Sequence, residues 1–181
     1  DLVRSRGLGD VYKRQGAAII AALSQIIIPI GAVPITLQTF AVGLVAAIFK
    51  PREATLAALL YLILGAIGLP VFAGGSGGFQ TFFSPIAGYI LAYPLFAFIT
   101  SKLTNADTPI WKIFLAFVLG DVPVFVGGIL TLHFLGNMGW FTAVAVGLTP
   151  FIIPDLLKGL IVSLVTKPVL KALKNLSLIH I

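Results

Sequence analysis

The sequence predicts an all-α integral membrane protein: a single bundle of six transmembrane helices with both termini in the cytoplasm. Of its 181 residues, 59% are hydrophobic and only 10% are charged. A soluble domain has about 25% charged residues, so this chain has too few charges to cover a water-exposed surface. The few basic residues also fall mainly on one side of the predicted spans, which sets the orientation.

Both ends of the chain are predicted to be non-native. The peptides DVYKRQ (Asp10–Gln15) and LSLIHI (Leu176–Ile181) can be encoded by complementary codons, because the reverse complement of a coding sequence for the first translates as the second. An inverted DNA sequence that flanks an insert gives this pattern, which resembles a sequencing adapter. We therefore predict that residues 1–15 and 176–181 are adapter translation. A basic amphipathic anchor at residues 1–15 is the alternative.

The native part is then residues 16–175, a six-helix domain whose first helix is truncated. The whole chain has 12 basic and 6 acidic residues, a net charge of +6. The two terminal segments contain four of the basic and two of the acidic residues, which leaves eight and four, a net +4. They also contain His180, so His133 is the only histidine of the predicted native part.

Apolar runs bounded by Pro, Gly and charged residues predict six helices. They cover about residues 16–29, 36–49, 53–69, 85–101, 110–135 and 154–172. Each is too apolar on all sides for the amphipathic helix of a soluble protein. A spanning helix needs roughly 20 residues, so six spans use most of the chain. The first run would rise only about 21 Å, and we expect its start to be missing.

The basic residues predict the orientation of these spans. Seven of the eight lie in connections or ends on one side: Lys50, Arg52, Lys102, Lys112, Lys167, Lys171 and Lys174. The connections on the other side contain no Lys or Arg. Because basic loops stay in the cytoplasm, the first side is predicted to be cytoplasmic, and an even number of spans places both termini there.

The eighth basic residue, Lys158, lies with Asp155 near the outer end of the last span. Residues three apart share one face of a helix, and an ionisable group inside a membrane costs about 2.5–3.5 kcal/mol on insertion scales. Such charges indicate a ligand site that faces the bundle interior. The alternative is a mutually neutralised pair that reaches the membrane interface. Pro154 is tolerated in the first turn of a helix, where the helix dipole favours an acid such as Asp155.

Two outer segments could complete this site. Gln38 lies with Thr36 and Thr39 at the mouth of the second span, and its amide offers both a donor and an acceptor. Alone, such an amide is more often a cap or an interhelical hydrogen bond. The segment 69–89 contains five glycines, four of them within residues 74–78, and several aromatic residues. It lacks the GKS or GKT of a nucleotide-binding loop, so we do not expect it to bind a nucleotide. Because long loops of this kind usually have a function of their own, we predict a lid over a ligand.

Small residues on the first span predict close helix contact. Ala17 with Ala21, and Ala18 with Ala22, are spaced four apart, which allows another helix to approach, either within the bundle or from a partner.

No catalytic or metal site is predicted. His133 has no carboxylate nearby in the sequence, and four acidic residues are too few for a metal cluster. The absence of Cys excludes thiolate sites, and no nucleic-acid partner is expected. Asp121, the other acid inside a span, either bonds within the bundle or faces the same cavity as Asp155.

Three strings carry a family resemblance: VPITLQTFAVGLVAA, LLYLILGAIGLPVFAGGSGGFQTFFSPIAGYILAYP and PDLLKGLIVSLV. Their order and spacing resemble BioY, the biotin-specific S component of energy-coupling-factor (ECF) transporters, over nearly all of residues 16–172. The resemblance implies a multi-pass protein of a bacterial or archaeal cell membrane. It would bind biotin from outside and release it inward, without a cofactor or enzymatic activity of its own.

The resemblance also implies partners and site residues. The partners are a transmembrane T subunit, contacted through Ala17 and Ala21, and two ATP-binding subunits that hydrolyse ATP. The implied substrate-binding residues are Asp155, Lys158, Gln38, Gly75, Gly77, Gln80 and Tyr89.

Some of these implied substrate-binding residues match the hydrogen-bonding groups of biotin. A carboxylate can accept ureido N–H groups in a charge-assisted hydrogen bond, and Lys158 supplies a cation for an oxygen. Family members often have Asn in the glycine-rich region and Arg near the fourth span; here Gln80 can replace the amide, and that Arg is absent.

The sequence fits three other functions less well. A related S component would bind thiamin, riboflavin or a similar vitamin, but Asp155 with Lys158 suits an anion with several donors better than a thiazolium cation. A membrane enzyme would need a nucleophile or an acid–base pair that this sequence lacks. A non-transporting scaffold would not need a charge pair inside a span.

Overall fold

The computed structural model describes residues 2–29, 31 and 33–179. In that part of the chain the α-helices are α1 Leu2–Leu23, α2 Gln38–Ile48, α3 Pro51–Ala66, α4 Ala87–Leu91, α5 Tyr93–Lys102, α6 Ile110–Phe134, α7 Trp140–Gly147 and α8 Ile152–Ile179. Single 3₁₀ segments lie at Ala73–Gly75, Phe79–Phe83 and Thr149–Phe151. The strands β1 (Ile27–Ile28) and β2 (Ile35–Thr36) form a short antiparallel pair, Ile27 opposite Thr36. The predicted all-helical class is confirmed.

The outer surface of the bundle is apolar. Two stretches, Ile110–Phe134 and Trp140–Leu176, are long and apolar enough to cross a membrane. Their side chains are largely exposed, and Phe141 and Ile153 are 88% and 71% accessible. Large apolar groups exposed on the outer face of a helix suit lipid rather than water. The chain therefore has the surface of a membrane protein.

The predicted C-terminal boundary of the first helix, residues 16–29, is wrong. α1 stops at Leu23, where the Ser24 hydroxyl donates to the carbonyl of Ile20 and the chain turns. Residues 26–28 are all Ile, a β-branched type that favours extended backbone, and Ile28 also precedes a proline, which disfavours helix. The strand β1 replaces the last helical turn.

The fourth predicted helix, residues 85–101, is divided. The structure has α4 and α5 there, with a break at Ala92. Pro94 lies in the first turn of α5, and it has no N–H with which to continue the hydrogen-bond ladder of α4. The short helix α7 lies within what the sequence suggests is only a connection, and the segment 148–151 separates it from α8.

Helix α2 is at the centre of the bundle. It packs against α1, α5 and α8, while α3 packs against α1 and α5, and α6 packs against α4, α5, α7 and α8. The main core is built from large buried side chains on these helices, including Ile20, Val42, Val45, Tyr61, Phe96, Phe117 and Val162. A second, smaller cluster of Val33, Leu132, Ala143 and Phe151 lies near α7. Tyr89 packs against both clusters.

Gly88 allows α4 to approach α6 closely. A Cβ atom at Gly88 would collide with the backbone carbonyl of Gly127. The amide of Gly88 also donates to Oγ1 of Thr131, at 3.1 Å. This contact fixes Tyr89, the next residue, against α6.

The segments predicted to be adapter translation continue α1 and α8. Residues 2–15 form the first part of α1, and residues 176–179 the end of α8. Tyr12 contacts the ring of Phe49, with centroids 5.6 Å apart. Their non-native origin stays a prediction, and His180 lies outside the described residues.

Candidate functional site

The Asp155–Lys158 pair is buried where α2 and α8 meet. Nζ of Lys158 donates to Oδ1 of Asp155 at 2.7 Å and to Oγ1 of Thr39 at 3.0 Å. Asp155 is 6% exposed and Lys158 is 8% exposed. The two side chains share a helical face, as their spacing predicts, and they point into the bundle rather than to its surface.

Two helix N-termini converge on this pair. Asp155 lies in the first turn of α8 and Thr39 is the second residue of α2. The N-terminal turn of a helix has unpaired N–H groups and a partial positive charge. Together with the Lys158 ammonium, the two termini make the site favourable for a negatively polarised ligand oxygen.

Gln38 belongs to a buried hydrogen-bond chain. Its Nε2 donates to the Tyr61 hydroxyl at 2.8 Å, which donates to Oγ of Ser24 at 2.9 Å, and its Oε1 accepts from the Tyr93 hydroxyl at 3.2 Å. Tyr61 and Ser24 are 0% exposed. The amide therefore makes the interhelical bonds that the sequence left as an alternative, and these bonds hold the N-terminus of α2 in place.

A cavity lies directly beside the ion pair. Its polar end is formed by Gln38, Thr39, Asp155 and Lys158, and its walls include Tyr89, Tyr93, Phe125 and Phe151. Apolar and aromatic walls with a few convergent polar groups are typical of sites for small organic ligands. The arrangement has hydrogen-bond acceptors, a cation and flat apolar surface, and it can bind a partly polar molecule.

Tyr89 is held as part of the wall. Its hydroxyl donates to the carbonyl of Gly147 at 2.7 Å, so α4 is tied to α7. Its ring lies 6.5 Å from the rings of both Phe125 and Phe151, measured between centroids. Tyr89 thus lines the cavity as a fixed aromatic surface.

The glycine-rich connection reaches the cavity through other residues than those predicted. Ala73 and Ile86 line it, whereas Gly75, Gly77 and Gln80 do not. Gly75 has a positive φ of 79° that favours glycine, and Gln80 is exposed, with Nε2 donating to the carbonyl of Gly77 at 3.1 Å. In this conformation the three residues shape the loop beside the site.

The two faces of small residues on α1, Ala17 with Ala21 and Ala18 with Ala22, have different environments. Ala17 is 1% exposed and packs in the main core, with Ala21 half-buried beside it. Ala18 and Ala22 are exposed. Ala17 is therefore not accessible to a partner in this conformation, and the accessible small-residue face is that of Ala18 and Ala22.

Some site residues were missed by sequence reasoning. Tyr93, Phe125 and Phe151 line the cavity, but aromatic residues in apolar helices have no sequence signal that separates cavity wall from core. Thr39 was noted beside Gln38, but nothing in the sequence indicated that it bonds Lys158, which is 119 positions away. His133 stacks on Trp140, with ring centroids 3.8 Å apart, at the end of α6.

Comparison with known proteins agrees with this architecture. The sequence profile of the BioY family matches residues 10–175. Biotin transporter BioY2 of Lactococcus lactis subsp. cremoris (strain MG1363) is 41% identical over 161 residues, which are 88% of each chain. The probable biotin transporter BioY of Pyrococcus horikoshii is 35% identical over 148 residues, 78% of this chain and 83% of that protein.

A solved structure is similar over almost the full length. The S component for biotin from an ECF-type ABC transporter has a TM-score of 0.82 and 26% sequence identity, and the match covers 92% of both chains. With the profile match and the 41% identical relative, this shows that the chain belongs to the BioY family.

Proposed function

We propose that this chain is the biotin-binding S component of an ECF-type transporter and takes part in biotin uptake. The buried Asp155–Lys158 pair at the polar end of an aromatic-walled cavity carries the proposal. The similarity to proteins named as biotin transporters and to a solved S component for biotin supports it. The chain binds and releases biotin and needs no cofactor, and ATP hydrolysis takes place in the partner subunits.

The ion pair binds the ureido end of biotin. A carboxylate only accepts hydrogen bonds, and the two ureido N–H groups are the donors that ionised biotin offers. Asp155 therefore accepts from the ureido ring. Because Nζ of Lys158 is 2.7 Å from Oδ1 of Asp155, the ammonium meets the same end and donates to the ureido carbonyl. The aromatic walls take the apolar thioether ring.

The cavity widens when biotin enters. Its volume is about 60 Å³, whereas pockets that enclose a small organic ligand have roughly 300–1,000 Å³. The connection between α3 and α4, residues 67–86, borders the cavity through Ala73 and Ile86, and its glycines permit backbone rearrangement. We infer that this connection opens and closes as a lid, which brings Gly75, Gly77 and Gln80 closer to the ligand.

Six spans cross the membrane, and both termini are cytoplasmic. The spans are α1, α2, α3, α4 with α5, α6 and α8, and α7 lies in the outer connection. Contacts at one end support this arrangement: Nζ of Lys167 donates to the carbonyls of Ala106 and Thr108 at 3.0 and 2.9 Å, and Lys174 pairs with Asp107 at 2.8 Å. The cell membrane is bacterial or archaeal.

The remaining parts of the proposal concern partners and boundaries. A transmembrane T subunit binds the α1 face and joins this chain to two ATP-binding subunits. The native domain is residues 16–175, and residues 1–15 and 176–181 are adapter translation. Sequencing of the source DNA tests the boundaries, since unrelated codons at the two ends would exclude an adapter.

Equilibrium binding of biotin to the purified full chain in detergent tests the function. Asp155→Asn keeps the size of the side chain but removes its charge, and we expect biotin affinity to fall at least tenfold. Leu157→Ala, on the exposed face of α8 with Leu157 55% exposed, is the matched control and should leave affinity unchanged. Undetectable binding by the folded wild-type protein would refute the biotin assignment, and unchanged affinity of Asp155→Asn would refute the site.

A further inference from the structure

Asp121 is a second buried acid, on α6. It is 4% exposed, and its Oδ1 has no hydrogen-bond partner among the described residues. The nearby ammonium of Lys158 donates to Asp155 and Thr39 instead. A buried polar group without a full set of partners costs free energy, and an ionisable group inside a membrane is functional by default. The ligand site described above does not explain why an acid is buried at this position.

The position of Asp121 is behind Asp155, as seen from the ligand cavity. Asp121 lines a second cavity, between α6 and α8, together with Asp155 and Phe125. Asp155 and Phe125 also line the ligand cavity, whereas Asp121 does not. These two shared residues form the wall between the cavities. Asp121 can therefore affect the ligand only through that wall.

Asp121 from α6 and Asp155 from α8 line the same small cavity, so the two acids are neighbours where these helices meet. Ionised carboxylates only accept hydrogen bonds, so a bond between two carboxyl groups requires one proton. Adjacent carboxylates elsewhere share a proton because both cannot stay charged at short distance. With one proton, Asp121, Asp155 and Lys158 together are neutral; without it, they would leave one uncompensated negative charge.

The other titratable groups that face these carboxyls are tyrosines. Tyr89 on α4 and Tyr93 on α5 line the ligand cavity together with Asp155. Their hydroxyls donate elsewhere, to the carbonyl of Gly147 and to Oε1 of Gln38. Neither hydroxyl therefore donates to a carboxyl group of the pair.

We propose that Asp121 is a positioning residue for the ligand site: through one shared proton it holds the carboxyl group of Asp155 from the side opposite the ligand cavity. One oxygen of Asp155 accepts from Lys158, and the bond to Asp121 fixes the rotation of the carboxyl plane. The free lone pairs of Asp155 then point toward the ligand. This inference rests on the proposed ligand-binding role of Asp155.

Biotin binding by four variants of the full chain tests the inference. Asp121→Asn keeps the size and a donor to Asp155, and we expect an affinity within about threefold of wild type. Asp121→Leu loses the bond and should weaken binding about tenfold. In an Asp155→Asn background, Asp121→Leu should weaken binding no further, because coupled residues are not additive. Leu119→Ala is the control, since Leu119 is 53% exposed on the same helix.

Infrared difference spectra test the proton separately. The wild-type protein should have the carbonyl band of a protonated carboxyl group, and Asp121→Asn should lack it. Persistence of this band in Asp121→Asn overturns the inference, even where Asp121→Leu does not fold.

Two binding results also overturn it: unchanged affinity of folded Asp121→Leu, and additive losses in the double variant. Both leave the proposed function standing if Asp155→Asn alone weakens binding. If Asp155→Asn has no effect, the proposed site itself fails.

Discussion

Replacing Lys158 with Met separates the role of the ion pair in stability from its role in binding. Met has a similar length but no charge, so Lys158→Met removes the 2.7 Å bond to Asp155 and the 3.0 Å bond to Thr39. Because Asp155 is 6% exposed, it is left as a buried acid without its cation. Removing one member of a buried pair costs about 3–5 kcal/mol, whereas replacing both is often neutral or stabilising.

The assay is thermal unfolding in detergent, measured together with biotin binding. We expect Lys158→Met to lower the midpoint of unfolding strongly, and Asp155→Asn/Lys158→Met to recover most of that loss. Biotin affinity should fall at least tenfold in both, which corresponds to about 1.4 kcal/mol. A Lys158→Met protein that unfolds at the wild-type temperature would refute the argument, because the pair would then not be a coupled buried charge. Binding restored by the double variant would refute its role in recognition.

Further predictions concern the polar chain and the surface of α1. Gln38→Leu leaves the buried Tyr93 hydroxyl without its acceptor and removes the donor to the Tyr61 hydroxyl, which still donates to Ser24. An unsatisfied buried group costs about 1–3 kcal/mol, so the unfolding midpoint should fall, whereas Gln80→Ala, at an exposed bond, should not change it. Ala22→Trp enlarges an exposed residue of α1 and should reduce co-purification with the proposed T subunit while biotin affinity stays unchanged. Ala17→Trp, at a position 1% exposed, should instead impair folding; a folded Ala17→Trp protein would contradict the packing of α1.

Local features of the sequence were enough to predict the helical class and the Asp155–Lys158 pair. The apolar run at 110–135 predicted α6 almost to the residue, because Pro109 precedes it and a polar glycine-containing turn follows it. Asp155 and Lys158 could be assigned to one helical face, because a spacing of three residues determines that geometry whenever the segment is helical.

The sequence also contains a signal for the break between α4 and α5. Pro94 is a signal that a helix is interrupted, although the apolar run continues through it. The end of α1 was similarly marked by three consecutive isoleucines before Pro29. At both places the local backbone preference overrides the apolar length of the segment.

The sequence by itself determined the membrane class, the apolar segments and the pairing of Asp155 with Lys158. Only the tertiary structure decided which apolar faces turn inward: Ala17 rather than Ala18 packs in the core, and Thr39 rather than another polar residue bonds Lys158. In a soluble protein a polar face identifies the outside of a helix. Here lipid and core are both apolar, so hydropathy cannot distinguish the two sides, and the packing of residues distant in sequence makes the choice.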